Sequence, residues 1–277
     1  MNGKLMIVEN EAGTRLWMAE LLRSNGYEIR EASSFHEALR LLDREEIDMV
    51  ISSVGMPDGS GIELAEVVKK RRPRTRLALM AGDDVEAHAI KGIRSGADFY
   101  LTKPFAGVDL LETVQNMAEL KPEAARIDID GARPGWYEFV ITSSEDALIR
   151  LQSFLNAILK NVLDEERFWD VHFAISELGR NAVEWGNRFD IESVVKLSIG
   201  IKDNAVTIKI EDEGDGFDVR QILQTLEATP LPELEEKRMA ESKRPGGMGI
   251  RIINETADRL IFNKEGNMVL MQFFAGD

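Results

Sequence analysis

The sequence predicts two domains of different class: an α/β domain with a five-stranded doubly wound parallel sheet, then a domain that combines helices with hairpin-connected strands. Across residues 1–120, short apolar runs alternate with segments of helical periodicity, a pattern typical of a parallel sheet covered on both faces. Across residues 136–277, strand-like segments are joined by tight turns. Residues 121–135 are polar and interrupted by Pro and Gly, so they are predicted to form the linker. A chain of 277 residues is long enough for two cores.

The elements of the first domain follow in order from the apolar pattern. Its predicted strands are short apolar runs: Lys4–Glu9, Tyr27–Glu31, Asp48–Ser52, Leu77–Ala81 and Asp98–Leu101. Its predicted helices lie between and after these runs: Ala12–Ser24, a helix through Leu42, Gly61–Lys70, Val85–Ser95 and Val108–Leu120. Strands that alternate regularly with helices predict a doubly wound sheet.

The second domain contains paired strands and one long polar interruption. The interruption, Asp218–Pro245, carries prolines and charges of both signs, which suits a mobile lid better than a packed element. Lys243 and Arg244 could close from it on a bound anion, although solvated charges are the commoner case. The other predicted elements are strand Ile191–Gly200, a turn at Asp203-Asn204, strand Ala205–Glu211, a helix to about Asp258 and a hairpin turning at Lys264–Asn267.

Three short stretches of this domain carry chemically informative residues. Glu177 and Asn181 are four residues apart, so a helix projects both from one side. The carboxylate can take a proton, and the amide oxygen can ligate Mg²⁺. Asp212 ends a strand in a turn containing Gly214 and Gly216, where its carboxylate can accept a hydrogen bond from a base edge.

The third stretch is the run Gly246-Gly247-Met248-Gly249, which opens a predicted helix. Backbone N–H groups and the helix dipole favour phosphate at such a position. Each stretch alone is common for unrelated reasons, since glycines mostly mark turns. A metal ligand, a base reader and a phosphate cradle in this order together indicate a nucleotide site.

In this order the three stretches resemble the GHKL superfamily of ATPases and, within it, the anti-sigma-factor serine kinases, over about Trp136–Phe274. The resemblance implies an α+β sandwich that opens with strand Tyr137–Thr142 and helix Ser144–Val162, and it implies ATP and Mg²⁺ as cofactors. The implied roles are general base for Glu177, Mg²⁺ ligand for Asn181, adenine reader for Asp212, adenine-pocket residues for Gly214 and Gly216, and cofactor binding for Gly246, Gly247, Met248 and Gly249, with Gly247 and Gly249 against the phosphates.

Two positions depart from that family pattern. Trp185 stands where the family often has His, and Met268 and Val269 lie near where a Thr commonly supports the adenine-reading Asp. Neither change removes the metal ligand or the base. The histidine-kinase branch would require a phosphoacceptor His on a helical hairpin before the ATPase domain, and the positions of the three histidines do not fit: His36, His88 and His172. Phosphorylation of the chain's own His is therefore not expected.

The first domain resembles a response-regulator receiver through the motifs Met56–Gly61 and Gly96–Phe105. Receivers place a phosphoacceptor Asp at the end of the third strand, and here that position is Ser53, whose hydroxyl is uncharged. The acidic pair reads Glu9-Asn10, the switch hydroxyl is replaced by Ala81, and Lys103 is kept. The sequence therefore predicts a pseudoreceiver in which Lys103 has no anion to bind. Whether the domain only scaffolds or also regulates stays open.

Composition excludes several classes of function. The net charge of −15 provides no basic face for nucleic acid. The basic run Lys69–Arg72, with Arg74 and Arg76, is predicted to be a solvated helix end. The absence of cysteines excludes disulfides and thiolate metal sites. No apolar run has membrane-spanning length and no signal peptide is evident, so a cytoplasmic protein without membrane contact is expected.

The sequence supports two alternative functions, one as an enzyme and one as a binding module. In the first, the chain is a Mg·ATP-dependent protein serine/threonine kinase in which Glu177 draws the proton from a partner's hydroxyl. The resemblance suggests an anti-sigma-factor antagonist as that partner and a sigma factor as the regulated protein. In the second, the chain is a nucleotide-gated binding module that transfers no phosphate. Retention of both Glu177 and Asn181 favours the kinase. The resembling kinases are commonly dimers, so a homodimer is also an expectation.

Overall fold

The computed structural model describes residues 3–121, 125–219 and 248–274. The chain divides into two compact units, one of residues 1–123 with 149–158 and the other of residues 124–148 with 159–277. In the described ranges, no helix combines the length and the apolar character that crossing a membrane requires.

The first unit is an α/β domain with the predicted five-stranded parallel sheet, in the order β2-β1-β3-β6-β7. Its strands are β1 (Lys4–Val8), β2 (Glu28–Ala32), β3 (Met49–Ser53), the short antiparallel pair β4 (Gly55–Met56) and β5 (Gly59–Ser60), β6 (Arg76–Ala81) and β7 (Phe99–Thr102). Its helices are α1 (Ala12–Ser24), α2 (Phe35–Arg44), α3 (Gly61–Arg71), α4 (Val85–Arg94) and α5 (Gly107–Glu119). Every predicted strand and helix is confirmed, with ends that differ by at most two residues.

Burial explains why the apolar runs form this sheet. All of β3 and all but the first residue of β1 are buried, as expected when helices cover both faces. Ser34 and Ser60 cap the N-termini of α2 and α3 through their side-chain oxygens. Because parallel strands point the same way, the carboxyl ends of β1, β3 and β7 bring Glu9, Ser53 and Lys103 to one edge of the sheet.

The basic run at the end of α3 is less solvated than the sequence predicts. Lys69 donates to the carboxylate of Asp98, and Arg72 and Arg76 donate to backbone carbonyl groups. All three basic side chains are partly buried. The prediction of a solvated cluster is wrong for these three residues, because their long aliphatic stems let them lie along the domain surface and reach internal partners.

The second unit is built on an antiparallel sheet that has, in the described residues, the order β12-β13-β11-β10-β9-β8. Its strands are β8 (Ile127–Arg133), β9 (Trp136–Thr142), β10 (Val194–Lys202), β11 (Ala205–Glu211), β12 (Arg259–Phe262) and β13 (Met268–Phe274). Its helical segments are α6 (Glu145–Leu159), α7 (Glu165–Asn181), a π-helical turn (Ala182–Gly186) and α8 (Met248–Thr256). Helix α6 is shared, since its residues 149–158 belong to the first unit.

The predicted turn at Asp203-Asn204 is confirmed. Lys202 pairs with Ala205, and the two turn residues have φ values of 49° and 58°. Positive φ at both central residues is typical of the type I′ turn, whose twist matches that of the strands it joins. The preceding strand begins at Val194, three residues later than predicted.

Strand β8 lies inside the stretch that the sequence predicts as a linker. It pairs antiparallel with β9, from Ile127 opposite Ile141 to Arg133 opposite Trp136. Gly135, with φ of 71°, turns the chain between the two strands. The linker interpretation missed this strand, because pairing with a neighbour and not local propensity stabilises it. Of the predicted lid and glycine run, residues 220–247 lie outside the described residues.

Candidate nucleotide site

Helix α7 sets the positions of Glu177 and Asn181. The helix begins after Asp164, whose carboxylate accepts the N–H of Arg167 at 2.9 Å and caps the first turn. Its buried side chains recur at helical spacing: Phe168, Val171, Ala174, Ile175 and Leu178. This apolar stripe fixes the rotation of the helix about its axis. Glu177 and Asn181 consequently lie on one side of it, and both are half-buried.

The N-terminus of α8 packs directly against Glu177. A Cβ added to Gly249 would lie 2.1 Å from Cγ of Glu177 and 2.4 Å from its Cδ. Only glycine allows an approach this close. The structure thus brings the first and third predicted stretches together, although Gly246 and Gly247 lie outside the described residues and Met248 is described only as the first residue of α8.

Asp212 follows the last residue of β11 and is held from two sides. Its backbone N–H donates to the carbonyl of Asn267 at 3.0 Å, and Nδ2 of Asn267 donates to its carbonyl at 3.1 Å. Its Oδ1 accepts the N–H of Gly214 at 2.9 Å. Burial raises the pKa of the Asp212 carboxyl, against the lowering effect of that N–H group. The carboxylate is therefore positioned by its loop through Oδ1.

Glycines allow the chain segments around Asp212 to meet. A Cβ added to Gly186 would lie 2.4 Å from Cγ of Asp212, and one added to Gly214 would lie 2.3 Å from the carbonyl oxygen of Gly186. Gly216 has a φ of 70°, and its Cβ would lie 2.0 Å from the carbonyl oxygen of Glu265. Side chains at these positions would fill the space beside Asp212, so the glycines shape a cradle there.

Sequence reasoning missed Asn187, which joins two loops beside the site. Its Oδ1 accepts the N–H of Glu213 at 2.8 Å, and its Nδ2 donates to the carbonyl of Val194 at 2.9 Å. Oε2 of Glu213 in turn accepts the N–H of Val194 at 3.0 Å. Asn187 is only 6% exposed. A buried Asn with both side-chain groups satisfied by backbone positions the loop that carries Asp212.

The π-helical turn that follows Asn181 was also not predicted. The N–H of Asn187 donates to the carbonyl of Ala182 at 2.8 Å, the five-residue spacing of a π turn. Such turns occur mostly as single insertions near functional sites. Trp185, the departure from the family His, lies within the turn and is 49% exposed.

The residue that hydrogen-bonds Asp212 is neither Met268 nor Val269, the positions near which the family commonly has a supporting Thr. Met268 lies opposite Glu211 in the sheet, and Asn267 is the residue that bonds Asp212. A polar signal was present in the sequence, since Asn267 lies in the predicted Lys264–Asn267 turn. An amide that donates to the backbone carbonyl of Asp212 leaves the carboxylate available to a ligand.

The residues present fit Mg²⁺ with a nucleotide. The described residues contain no cluster of three or more His, Cys, Asp or Glu side chains that could hold a metal. Mg²⁺ keeps several waters and binds through one or two protein oxygens together with substrate phosphates. The amide oxygen of Asn181, one helical turn from Glu177, suits that mode of binding, and the glycine cradle suits the base.

Ser53, the predicted phosphoacceptor position of the first unit, lies beside an ion pair. Nζ of Lys103 donates to Oε2 of Glu9 and, at 3.0 Å, to Oγ of Ser53. Glu9 is 1% exposed and Ala81 is also buried, whereas Asn10 is exposed. The expectation that Lys103 lacks an anion is therefore wrong, because the glutamate side chain reaches the ammonium group.

Comparisons with known proteins agree with two domains. Residues 5–115 match the model of the response regulator receiver domain, and residues 141–273 match the model of the histidine kinase-like ATPase domain. Among curated proteins, the chain is similar to the response regulator protein PilR of Pseudomonas aeruginosa, with 32% identity over 46% of this chain and 29% of PilR. It is also similar to the phosphate regulon transcriptional regulatory protein PhoB of Pseudomonas aeruginosa, with 29% identity over 70% of this chain and 100% of PhoB.

Among solved structures, the chain is similar to the chemotaxis response regulator CheY4 of Vibrio cholerae, with 27% identity, 42% of this chain and 99% of that chain covered, and a TM-score of 0.40. The chain spans less than a third of the length of PilR.

Proposed function

For a chain that carries a receiver domain and a histidine kinase-like ATPase domain, we propose a signalling function as a Mg·ATP-dependent protein serine/threonine kinase. The observation that carries the proposal is the placement of Glu177 and Asn181 on one side of α7, with Gly249 of α8 packed against Glu177. A protein that only binds nucleotide has no chemical need for a base at that position.

Each residue of the site has a role in this reaction. Asp212 accepts a hydrogen bond from the adenine amino group, and Asn187 and Asn267 hold the loop that presents it. Asn181 offers its amide oxygen to Mg²⁺. Glu177 accepts the proton of the attacking hydroxyl. ATP bound here would supply the phosphoryl group, and Mg²⁺ would neutralise negative charge on its phosphates.

The partner we propose is an anti-sigma-factor antagonist, and the regulated protein a sigma factor, in the cytoplasm and without nucleic acid or membrane contact. A homodimer is the proposed oligomeric state. These proposals rest on the order of the three stretches within the second domain. The alternative is a nucleotide-gated binding module that sequesters its partner and transfers no phosphate.

The first domain serves in this proposal as a pseudoreceiver that regulates without being phosphorylated. Ser53 lacks the carboxylate that would form an acyl phosphate. The carboxylate of Glu9 neutralises the ammonium charge of Lys103, which a phosphoryl group would do in a working receiver. Regulation then passes through protein contacts of the domain.

Phosphoryl transfer from radiolabelled ATP to candidate antagonists tests the proposal. The wild-type protein should label a Ser or Thr of the partner, and Glu177→Gln should lower the rate about 10²–10⁴-fold while ATP binding persists. Glu166→Gln, an exposed change on the same helix, is the matched control. Partner binding that depends on ATP without transfer of label would establish the binding module instead.

A further inference from the structure

Residues 149–158 of α6 cover the open edge of the parallel sheet within the first unit. Strand β7 is the last in the sheet order, and edge strands present unpaired N–H and C=O groups. Oγ of Ser153 accepts the N–H of Tyr100 at 3.2 Å. Nη2 of Arg150 donates to the carbonyls of Gly96 and Ala97, at 3.3 and 2.7 Å. The segment therefore bonds one N–H of β7 and two carbonyls of the connection that precedes the strand.

The same segment fills an apolar gap between β7 and α4. The ring of Phe154 is fully buried, and its centroid lies 6.1 Å from that of Tyr100. A Cβ added to Gly92 of α4 would lie 3.1 Å from the Phe154 ring. Tyr100 is itself buried, and its hydroxyl has no hydrogen-bond partner in the described residues. The Phe154 ring and the Tyr100 ring thus keep each other buried.

A buried charge cluster fixes the register of this contact. The carboxylate of Asp98 accepts from Lys69 and from the N–H of Leu77 at 2.8 Å, and Nε of Arg150 lies 3.7 Å from its Oδ1. Burial lowers the pKa of both Lys69 and Arg150. A buried ion cluster adds little net stability but disfavours any arrangement that leaves one of its charges unpaired.

The residue that precedes this segment contacts the catalytic helix within the second unit. Leu148 is buried, and a Cβ added to Gly179 of α7 would lie 2.6 Å from its Cδ1. Gly179 is two residues from Glu177 and two from Asn181 in the sequence, and it lies on the opposite side of α7 from both. Helix α6 is thus anchored to the receiver sheet through residues 149–158 and to α7 through Leu148.

We propose that α6 couples the receiver to the nucleotide site: displacement of residues 149–158 from β7 and α4 moves Leu148 against Gly179 and alters the placement of Glu177 and Asn181. The coupling concerns nucleotide binding, so it rests on the presence of the site and not on phosphoryl transfer. Coupling between two sites is reciprocal, so bound nucleotide must change the stability of the contact at β7 by the same free energy.

Hydrogen exchange and calorimetry on the full chain test the coupling. Ser153→Ala removes the bond that Oγ accepts from the N–H of Tyr100 and the bond that it donates to the carbonyl of Arg150 at 2.9 Å. Exchange at Tyr100 and in residues 149–158 should speed up about fivefold, and exchange at residues 177–181 should rise with it. Arg150→Ala should act more strongly and weaken ATP binding about three- to tenfold, because Asn181 and Glu177 lose preorganisation. Ile149→Ala, at a neighbouring position that is 41% exposed, is the control and should change neither.

The outcomes separate this proposal from the proposed kinase. Faster exchange at residues 149–158 with unchanged exchange at residues 177–181 and unchanged ATP affinity would overturn the coupling, whether or not phosphate is transferred. Leu148→Ala tests the other end: exchange at residues 177–181 should rise while the hydrogen bond of Tyr100 stays protected. If the Arg150 variant does not fold, Ser153→Ala decides through the same exchange measurement. A wild-type protein that fails to label any partner leaves these readouts intact.

Discussion

Replacement of Asp212 by Asn tests the adenine-reading role that we propose for this residue separately from its structural role. In the structure, Oδ1 of Asp212 accepts the N–H of Gly214, and an asparagine oxygen can keep that bond. Its Nδ2 then takes the place of Oδ2 and presents a donor to the donor group of adenine. The lost charge-assisted hydrogen bond is worth about 1.5–3 kcal/mol, so the Kd for ATP should rise roughly ten- to hundredfold.

The pH dependence of ATP affinity distinguishes loss of the Asp212 hydrogen bond from a general loss of folding. Burial raises the pKa of Asp212, so the carboxylate is protonated, and ATP affinity begins to fall, at a higher pH than for an ordinary aspartate. A raised pKa also means that Asp212 favours folding at low pH and that this contribution is lost as pH rises through the folded-state pKa. Near neutral pH, Asp212→Asn should therefore leave the unliganded protein as stable as wild type or slightly more stable.

Calorimetric titration with Mg·ATP across pH, together with thermal unfolding, measures both effects. Asp215→Asn in the same loop is the matched control, because Asp215 is 96% exposed and pairs only loosely with the exposed Arg188. It should bind ATP as wild type does. An Asp212→Asn protein of wild-type affinity, or an equal loss in both variants, would refute the assignment of Asp212 as adenine reader.

Three further predictions follow from the described contacts. Gly249→Ala forces a Cβ against Glu177 and should displace that side chain by about 1 Å, so phosphoryl transfer should fall about 10²-fold in a labelling assay. The control is Gly55→Ala, where a Cβ meets nothing within 4 Å and where no effect is expected. Glu177→Ala should keep ATP affinity by calorimetry and lose transfer about 10²–10⁴-fold, and a comparable small loss of both would favour the binding module. Beryllofluoride with Mg²⁺ should leave the spectra and oligomeric state of the wild-type protein unchanged. Ser53→Asp alone should not restore a response, because Ala81 lacks the switch hydroxyl. Phosphate-dependent association of the wild-type protein would contradict the pseudoreceiver interpretation.

Elements with a strong local signal could be predicted from the sequence. Helix Ala12–Ser24 and strand Ala205–Glu211 have the predicted ends, because periodicity and the Asp203-Asn204 turn define them locally. Strand Ile127–Arg133 could not be predicted in this way, since acidic residues and Gly131 weaken its local preference and pairing with β9 decides its conformation.

The residues of the candidate nucleotide site could be proposed from the sequence, and their roles stay predictions, but the geometry of the site could not be predicted. Spacing places Glu177 and Asn181 on one side of a helix without any knowledge of tertiary structure. The bonds of Asn187 to Glu213 and Val194 depend on loops that meet only in the fold, and no local pattern encodes them. The same holds for Lys103, whose partner Glu9 is separated from it by most of the first domain.

The shared helix α6 determines where this chain can be divided. A cut in residues 121–135 follows the covalent boundary but separates β7 from the segment that covers it. A fragment ending there would expose the N–H of Tyr100 on edge strand β7, and an exposed edge is a template for strand addition and aggregation. It would also leave the pair of Lys69 and Asp98 without Arg150. In the complementary fragment, the ring of Phe154, which is fully buried in the full chain, would be exposed to water. The first unit therefore includes part of α6, and its replacement by another receiver would require Arg150, Ser153 and Phe154 to be replaced together with residues 1–123.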